Sequence, residues 1–174
     1  FSGQAQFVHQ LAKDENLYAS VGQSFKMPEL HQMWRSSVEN LKAQTGVHYE
    51  MGWKKDVDDH KWRVAVFNYD IDDNITATYS DNTGIELECK IQGDNSPFGY
   101  HYAVSYGNPK TEITDKGVCK GWQRDYSRWQ LNGGVTYQQD KWSAALNASY
   151  MAERVLNGVD TKPYLLTNLN VNYA

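Results

Sequence analysis

The chain has 174 residues, a net charge of −4 and a mean hydropathy of −0.71, with 12 Tyr and 6 Trp. No run approaches the ~20 apolar residues a membrane helix needs, so helical spanning is excluded, while a barrel remains open because half of each barrel strand faces water. The charge pattern contains no basic stripe and gives no case for nucleic acid.

Alternation of apolar and polar residues predicts strands over 2–11, 16–26, 45–55, 61–79, 84–92, 98–110, 126–138, 141–153 and 163–173. Between them, Ala12–Glu15, Asp56–His60, Gly93–Pro97 and Gln139–Asp140 read as tight connections. Met27–Gln44, Thr111 to about Arg124, and Arg154–Lys162 read as long loops, and Ser80–Thr83 as a short one. Short turns on one side and mostly long loops on the other suit an antiparallel transmembrane barrel.

The clearest strand sets Trp129, Leu131, Gly133, Val135 and Tyr137 against Arg128, Gln130, Asn132, Gly134 and Thr136. The next sets Trp142, Ala144, Leu146, Ala148 and Tyr150 against Ser143, Asn147 and Ser149. Eight steps of about 3.3 Å, tilted about 40°, separate the aromatic ends by roughly 20 Å, near the roughly 25 Å apolar band of a membrane barrel. Trp53, Trp62, Tyr100, Tyr137, Trp142 and Tyr173 lie beside the short turns, and Phe25, Tyr106, Trp129, Tyr150 and Tyr164 lie toward the long loops. These two belts are the expected interfacial girdles. A soluble β-sandwich also alternates, but its strands are usually about five or six residues and its buried faces give no reason for aromatics at both stripe ends.

The chain opens in mid-pattern at Phe1–Gln4 and stops at the end of a strand at Val171–Ala174. With an odd strand count, this is expected to be a piece of a longer polypeptide, since bacterial single-chain barrels normally have an even number. Cys89 falls in the apolar set Ile85, Leu87, Cys89, Ile91, and Cys119 in a Gly/Lys-rich loop. A lipid-facing thiol and a loop thiol are expected to be too far apart to bridge.

The polar half of the strands carries the candidate functional surface. His48, Glu50 and Lys54 oppose Val47, Tyr49, Met51 and Trp53; Glu86, Glu88, Lys90 and Gln92 oppose Ile85, Leu87 and Ile91. Asn168, Asn170 and Asn172 oppose Leu169, Val171 and Tyr173. In a large barrel such residues line a lumen that is water-filled or plugged. Asp70, Asp72, Asp73 and Asn74 could suggest calcium, but no EF-hand spacing follows; Asp70 and Asp72 are expected on the lumen face as polar lining. Ser20, Ser24, Ser105 and Ser149 lack a nucleophile elbow, and His9, His48, His60 and His101 have no zinc spacing, so neither catalysis nor a bound metal or cofactor is expected.

Four segments, in order, carry a family resemblance: Asn16–Leu30, with Phe25 and Pro28 near its end; Glu39–Lys54; Val64–Ile75; and the strand start Gly84–Glu88. Together they resemble the TonB-dependent outer-membrane receptors, in which the first segment climbs to the cell surface and breaks at a proline. The departures are Met27 before Pro28, His31 at a commonly aromatic place, and Ala43-Gln44 where Pro-Glu is usual. The resemblance spans essentially the whole chain, as the later part of a barrel of about 22 strands. It implies that residues 1–174 belong to the barrel domain, with an N-terminal plug, a TonB box and the final strands lying outside them. It further implies contact with outer-membrane lipid, and energy-coupled uptake of a scarce metal chelate such as a ferric siderophore, haem or cobalamin.

Under this resemblance, ligand contacts are expected in the outer loop at His31, Met33 and Trp34. The imidazole could serve as an axial haem ligand, although an ordinary loop histidine fits its register better; the other two offer rigid apolar contact. A passive porin and, more remotely, a barrel-embedded hydrolase are the rival readings.

Overall fold

The computed structural model describes residues 2–27, 42–74, 78–93, 96–115, 118–124, 126–156 and 159–174. The strands are β1 (Gly3–Ala12), β2 (Glu15–Lys26), β3 (Gln44–Val57), β4 (His60–Asn74), β5 (Thr78–Gln92), β6 (Phe98–Gly107), β7 (Lys110–Asp115), β8 (Val118–Gln123), β9 (Trp129–Gln139), β10 (Trp142–Ala152), β11 (Val155–Leu156), β12 (Val159–Asp160) and β13 (Tyr164–Tyr173). Eleven form one sheet along the path β1-β2-β3-β4-β5-β6-β9-β10-β13, with β7 pairing β5 and β8; β11 and β12 make a separate two-stranded ribbon. Every pairing is antiparallel. The path has nine strands and does not close, which leaves β1 and β13 as its edges.

The tight connections are local turn chemistry. Val57 pairs with His60 across Asp58-Asp59, and Gln139 with Trp142 across Asp140-Lys141. Asp58 (φ 50°) and Asp140 (φ 51°) supply the left-handed residue, a conformation that Asp tolerates because its short side chain hydrogen-bonds locally.

Because directly paired residues share a face, the register sorts every side chain. One row runs Leu17, Trp53, Val64, Leu87, Val104, Leu131, Tyr150 and Leu165 across eight strands. The neighbouring row, on the opposite face, runs Asn16, Lys54, Arg63, Glu88, Ala103, Asn132, Ser149 and Leu166. Among the described residues nothing covers the apolar face: Met51 is 63% exposed and Leu169 66%. The buried apolar side chains among the described residues are Tyr18, Ala65, Phe67 and Cys89. The sheet is therefore a single layer, and the sandwich, which buries one face of each sheet against the other, is ruled out.

Four expectations need correction. The strand expected over 61–79 ends at Asn74, and Ser80–Thr83 is not a loop but lies within β5, with Ser80 paired to Ile71 and Thr83 to Asn68. The polar cluster there resembles a turn in composition, yet the ladder started by Val64 and Leu87 continues through it. The long loop after β6 holds the β7–β8 hairpin, which extends the sheet beside β5. Asp70 and Asp72 pair with Val47 and Thr45, on the face of Val64 and Val66, because β3 and β4 run without a bulge between those pairs. Tyr164 pairs with Met151 on the polar face, where its hydroxyl meets the Met151 sulfur at 2.9 Å, so it does not belong to an outer aromatic row.

Candidate functional site

Each rim of the apolar face is marked by a change in chemistry. On the short-turn side Trp62 and Tyr102 meet edge-on at 6.2 Å, Phe98 and Tyr137 at 5.1 Å, and Trp142 and Tyr173 at 4.9 Å. The Trp53 indole N–H donates to Glu15 Oε1 at 2.8 Å, and Glu15 also pairs with Lys55 at 3.3 Å, so the ring lies on the apolar side and its polar edge meets charge. On the long-loop side Tyr106 and Trp129 meet at 4.6 Å. Beyond that level in β4 and β5 the same face turns polar: Asn68 Nδ2 donates to Asp81 Oδ1 at 2.9 Å and to Thr83 Oγ1 at 2.8 Å. Asp70 and Asp72 lie in this polar extension. Cys89, paired with Trp62 and Tyr102, has its thiol free and only 2% exposed among them.

The opposite face is organised around Arg63. Its Nη2 donates to Glu50 Oε1 at 2.9 Å, its Nη1 to Glu86 Oε2 at 3.0 Å, and its Nε to the Tyr18 hydroxyl at 3.0 Å. Glu88 lies 3.5 Å from Nη1. Tyr18 in turn donates to Glu50 Oε1 at 2.5 Å, and Lys54 Nζ sits 4.6 Å from the Tyr18 ring centre. Four adjacent strands, β2 to β5, thus meet in one charge-assisted network, in which the planar guanidinium serves several acceptors at once. Gly52 makes it possible: a Cβ there would lie 2.5 Å from the Tyr18 ring, so its absence lets the tyrosine lie flat across β3.

The residues expected to line a lumen, His48, Glu50, Glu86, Glu88, Lys90, Asn168, Asn170 and Asn172, all fall on this polar face. Glu50, Glu86 and Glu88 converge on Arg63, whereas His48 lies nearer the long-loop end, bonded to Ser24 Oγ at 2.9 Å and edge-on to Tyr69 at 5.0 Å. A recess of about 440 Å³ opens there among His48, Phe67, Tyr69, Glu86, Ser105 and Tyr126. The three asparagines lie on β13, and Asn170 Nδ2 donates to Asn168 Oδ1 at 2.7 Å. His31, Met33 and Trp34 lie outside the described residues. The sequence reading passed over Arg63 and Tyr18, although alternation from Trp62 and Val64 already assigns Arg63 to the polar face, and the polar neighbours Asn16 and Ser20 do the same for Tyr18.

An exposed single-layer sheet, apolar on one side and polar on the other with aromatics at the rims, defines a barrel wall. Residues 1–174 match the family model described as TonB dependent receptor-like, beta-barrel, and the chain belongs to that family. Among solved structures, the copper transporter OprC is 15% identical with a TM-score of 0.73, over 99% of this chain and 31% of that one. The ferric yersiniabactin uptake receptor FyuA from Yersinia pestis is 16% identical with a TM-score of 0.74, over 99% of this chain and 29% of that one. The chain therefore spans under a third of either structure and corresponds in fold to a portion of their barrels.

Proposed function

We propose that this chain is part of the barrel wall of an outer-membrane receptor that imports a scarce metal chelate, energised through TonB. The observation that carries the reading is the family match over the whole chain, together with a wall that has one greasy and one charged face. In this reading the apolar face meets lipid between the aromatic rows, every backbone group of the interior strands is satisfied by a neighbour, and the polar face lines the lumen. A plug outside these residues fills that lumen and responds to ligand, and the TonB system remodels it. The two similar structures handle copper and ferric yersiniabactin, and both names support a metal-bearing cargo here. A ferric siderophore, haem and cobalamin are the cargo classes proposed, with His31, Met33 and Trp34 as outer-loop contacts. The wall itself has no catalytic role in this scheme.

The test uses the full-length receptor in its own cells. Uptake of labelled ferric siderophores, haem, cobalamin and copper is compared between wild type, a receptor deletion and a TonB deletion. Loss of uptake of one probe in both deletions is expected. Uptake that needs the receptor but survives without TonB would instead make the protein a passive pore. A haem absorption shift that is abolished by His31→Ala would select haem among the cargoes.

A further inference from the structure

Charge on the polar face of the strands is concentrated in β3, β4 and β5, in the middle of the path; β1 has none, and β2 has only Lys26 at its end. β3, β4 and β5 present Glu50, Lys54, Lys61, Arg63, Glu86, Glu88 and Lys90. By contrast β6, β9, β10 and β13 contain no Asp, Glu, Lys or Arg at any position, and β7 and β8 lie off that path. Their polar face is built from Ser105, Asn132, Thr136, Asn147, Ser149 and Asn168, with His101 beside Lys90 and Tyr164 at the far end of β13. The environment does not force this split. Positions on one continuous polar face share the same water, and β3 to β5 show that the face accepts charge of both signs.

The charged strands and the uncharged run of β6, β9, β10 and β13 differ in what they hold. A carboxylate and guanidinium network offers strong, directional bonds to whatever packs on it, because charge-assisted bonds are roughly twice as strong as neutral ones. Amide and hydroxyl groups exchange a partner for water at little net cost. The uncharged run is also partly self-satisfied: Ser149 Oγ donates to Asn132 Oδ1 at 2.7 Å, and Asn170 to Asn168 at 2.7 Å. A solute of either charge passing such a surface meets no site that would trap it.

Resting on the receptor reading above, we infer that the passage for solute runs against the neutral wall of β9, β10 and β13. The domain that fills the lumen stays seated on the charged wall of β3 to β5. The neutral wall is hydrated even at rest, and the charged wall is covered.

The experiment uses the full-length receptor in outer-membrane vesicles, with Cys89→Ala and Cys119→Ser and any cysteine outside these residues changed to Ser. Single cysteines are placed on the neutral wall (Asn147→Cys, Ser149→Cys) and on the charged wall (Glu88→Cys, Lys90→Cys). Ala103→Cys, on the uncharged strand β6 but paired with Glu88, probes the border of the charged wall with every charge in place. A small, uncharged, water-soluble thiosulfonate is added, and each rate is divided by that of the urea-unfolded variant. Modification at 147 and 149 at least tenfold faster than at 88, 90 and 103 is expected. Equal protection of both walls, or faster reaction on the charged wall, overturns the inference and leaves a plugged receptor standing. Rates near the unfolded value at all five positions would mean that no domain fills the lumen, and would overturn the receptor reading with it.

Discussion

Arg63 shows how much of the polar face depends on single side chains. It is 22% exposed and is shared by Glu50, Glu86 and Glu88, which also lie close to one another across β3 and β5. Replacing it with Met leaves three carboxylates without their common partner, a loss expected to cost about 2 kcal/mol after allowing for partial solvent access. Urea unfolding of the intact receptor, followed by Trp fluorescence, measures this. Arg63→Met combined with Glu50→Gln and Glu86→Gln should recover much of the loss, since removing both sides of an ion pair costs far less than removing one. A single variant as stable as the parent would show that water already screens the cluster. Neighbouring residues fix the geometry that this sensitivity reflects: Gly52 gives Tyr18 its place, and Tyr18 ties Arg63 to Glu50.

At the scale of the strand, facing decides the effect of a substitution. Leu131 and Asn132 are adjacent in β9 but lie in opposite rows, as do Leu146 and Asn147 in β10. Arg at Leu131 or Leu146 enters hydrocarbon and should cost about 2–4 kcal/mol near mid-membrane, whereas Arg at Asn132 or Asn147 meets water and should cost well under 1 kcal/mol. Equilibrium unfolding of the receptor from bilayers separates the two. Equal costs in the two rows would reverse or abolish the facing. Strand positions were readable from alternation wherever apolar residues recur, and the tight turns wherever Asp or Gly interrupts it. The break between β4 and β5 was misplaced because Ser80–Thr83 carries turn-like residues although it is paired along its length with β4 and, at Ser80 and Asp81, with β7. Asp70 and Asp72 were assigned to the wrong side for a related reason. In the proposed reading the apolar face beyond the aromatic rim is no longer in hydrocarbon, so polarity stops reporting direction there.

At the scale of the whole chain, the described residues bury little apolar surface beyond Tyr18, Ala65, Phe67 and Cys89. A soluble chain of this length buries a large apolar interior, but this sheet leaves one face bare and two edges unpaired, with β1 and β13 exposed throughout. Unpaired edges with apolar side chains recruit other strands. Expressed alone, residues 1–174 should aggregate in aqueous buffer and need detergent or lipid to stay dispersed. Sedimentation velocity with and without detergent tests this, and a monodisperse monomer in plain buffer would contradict the wall. Alternation needs only neighbouring residues, so the sequence determined the strands, their two faces, the aromatic rims and the eight polar-face positions from His48 to Asn172. Which strands stand side by side depends on hydrogen bonds between distant segments. Only the tertiary structure could therefore gather Tyr18, Glu50, Arg63, Glu86 and Glu88 from four strands into one network and set the charged strands β3 to β5 beside the uncharged run of β6, β9, β10 and β13.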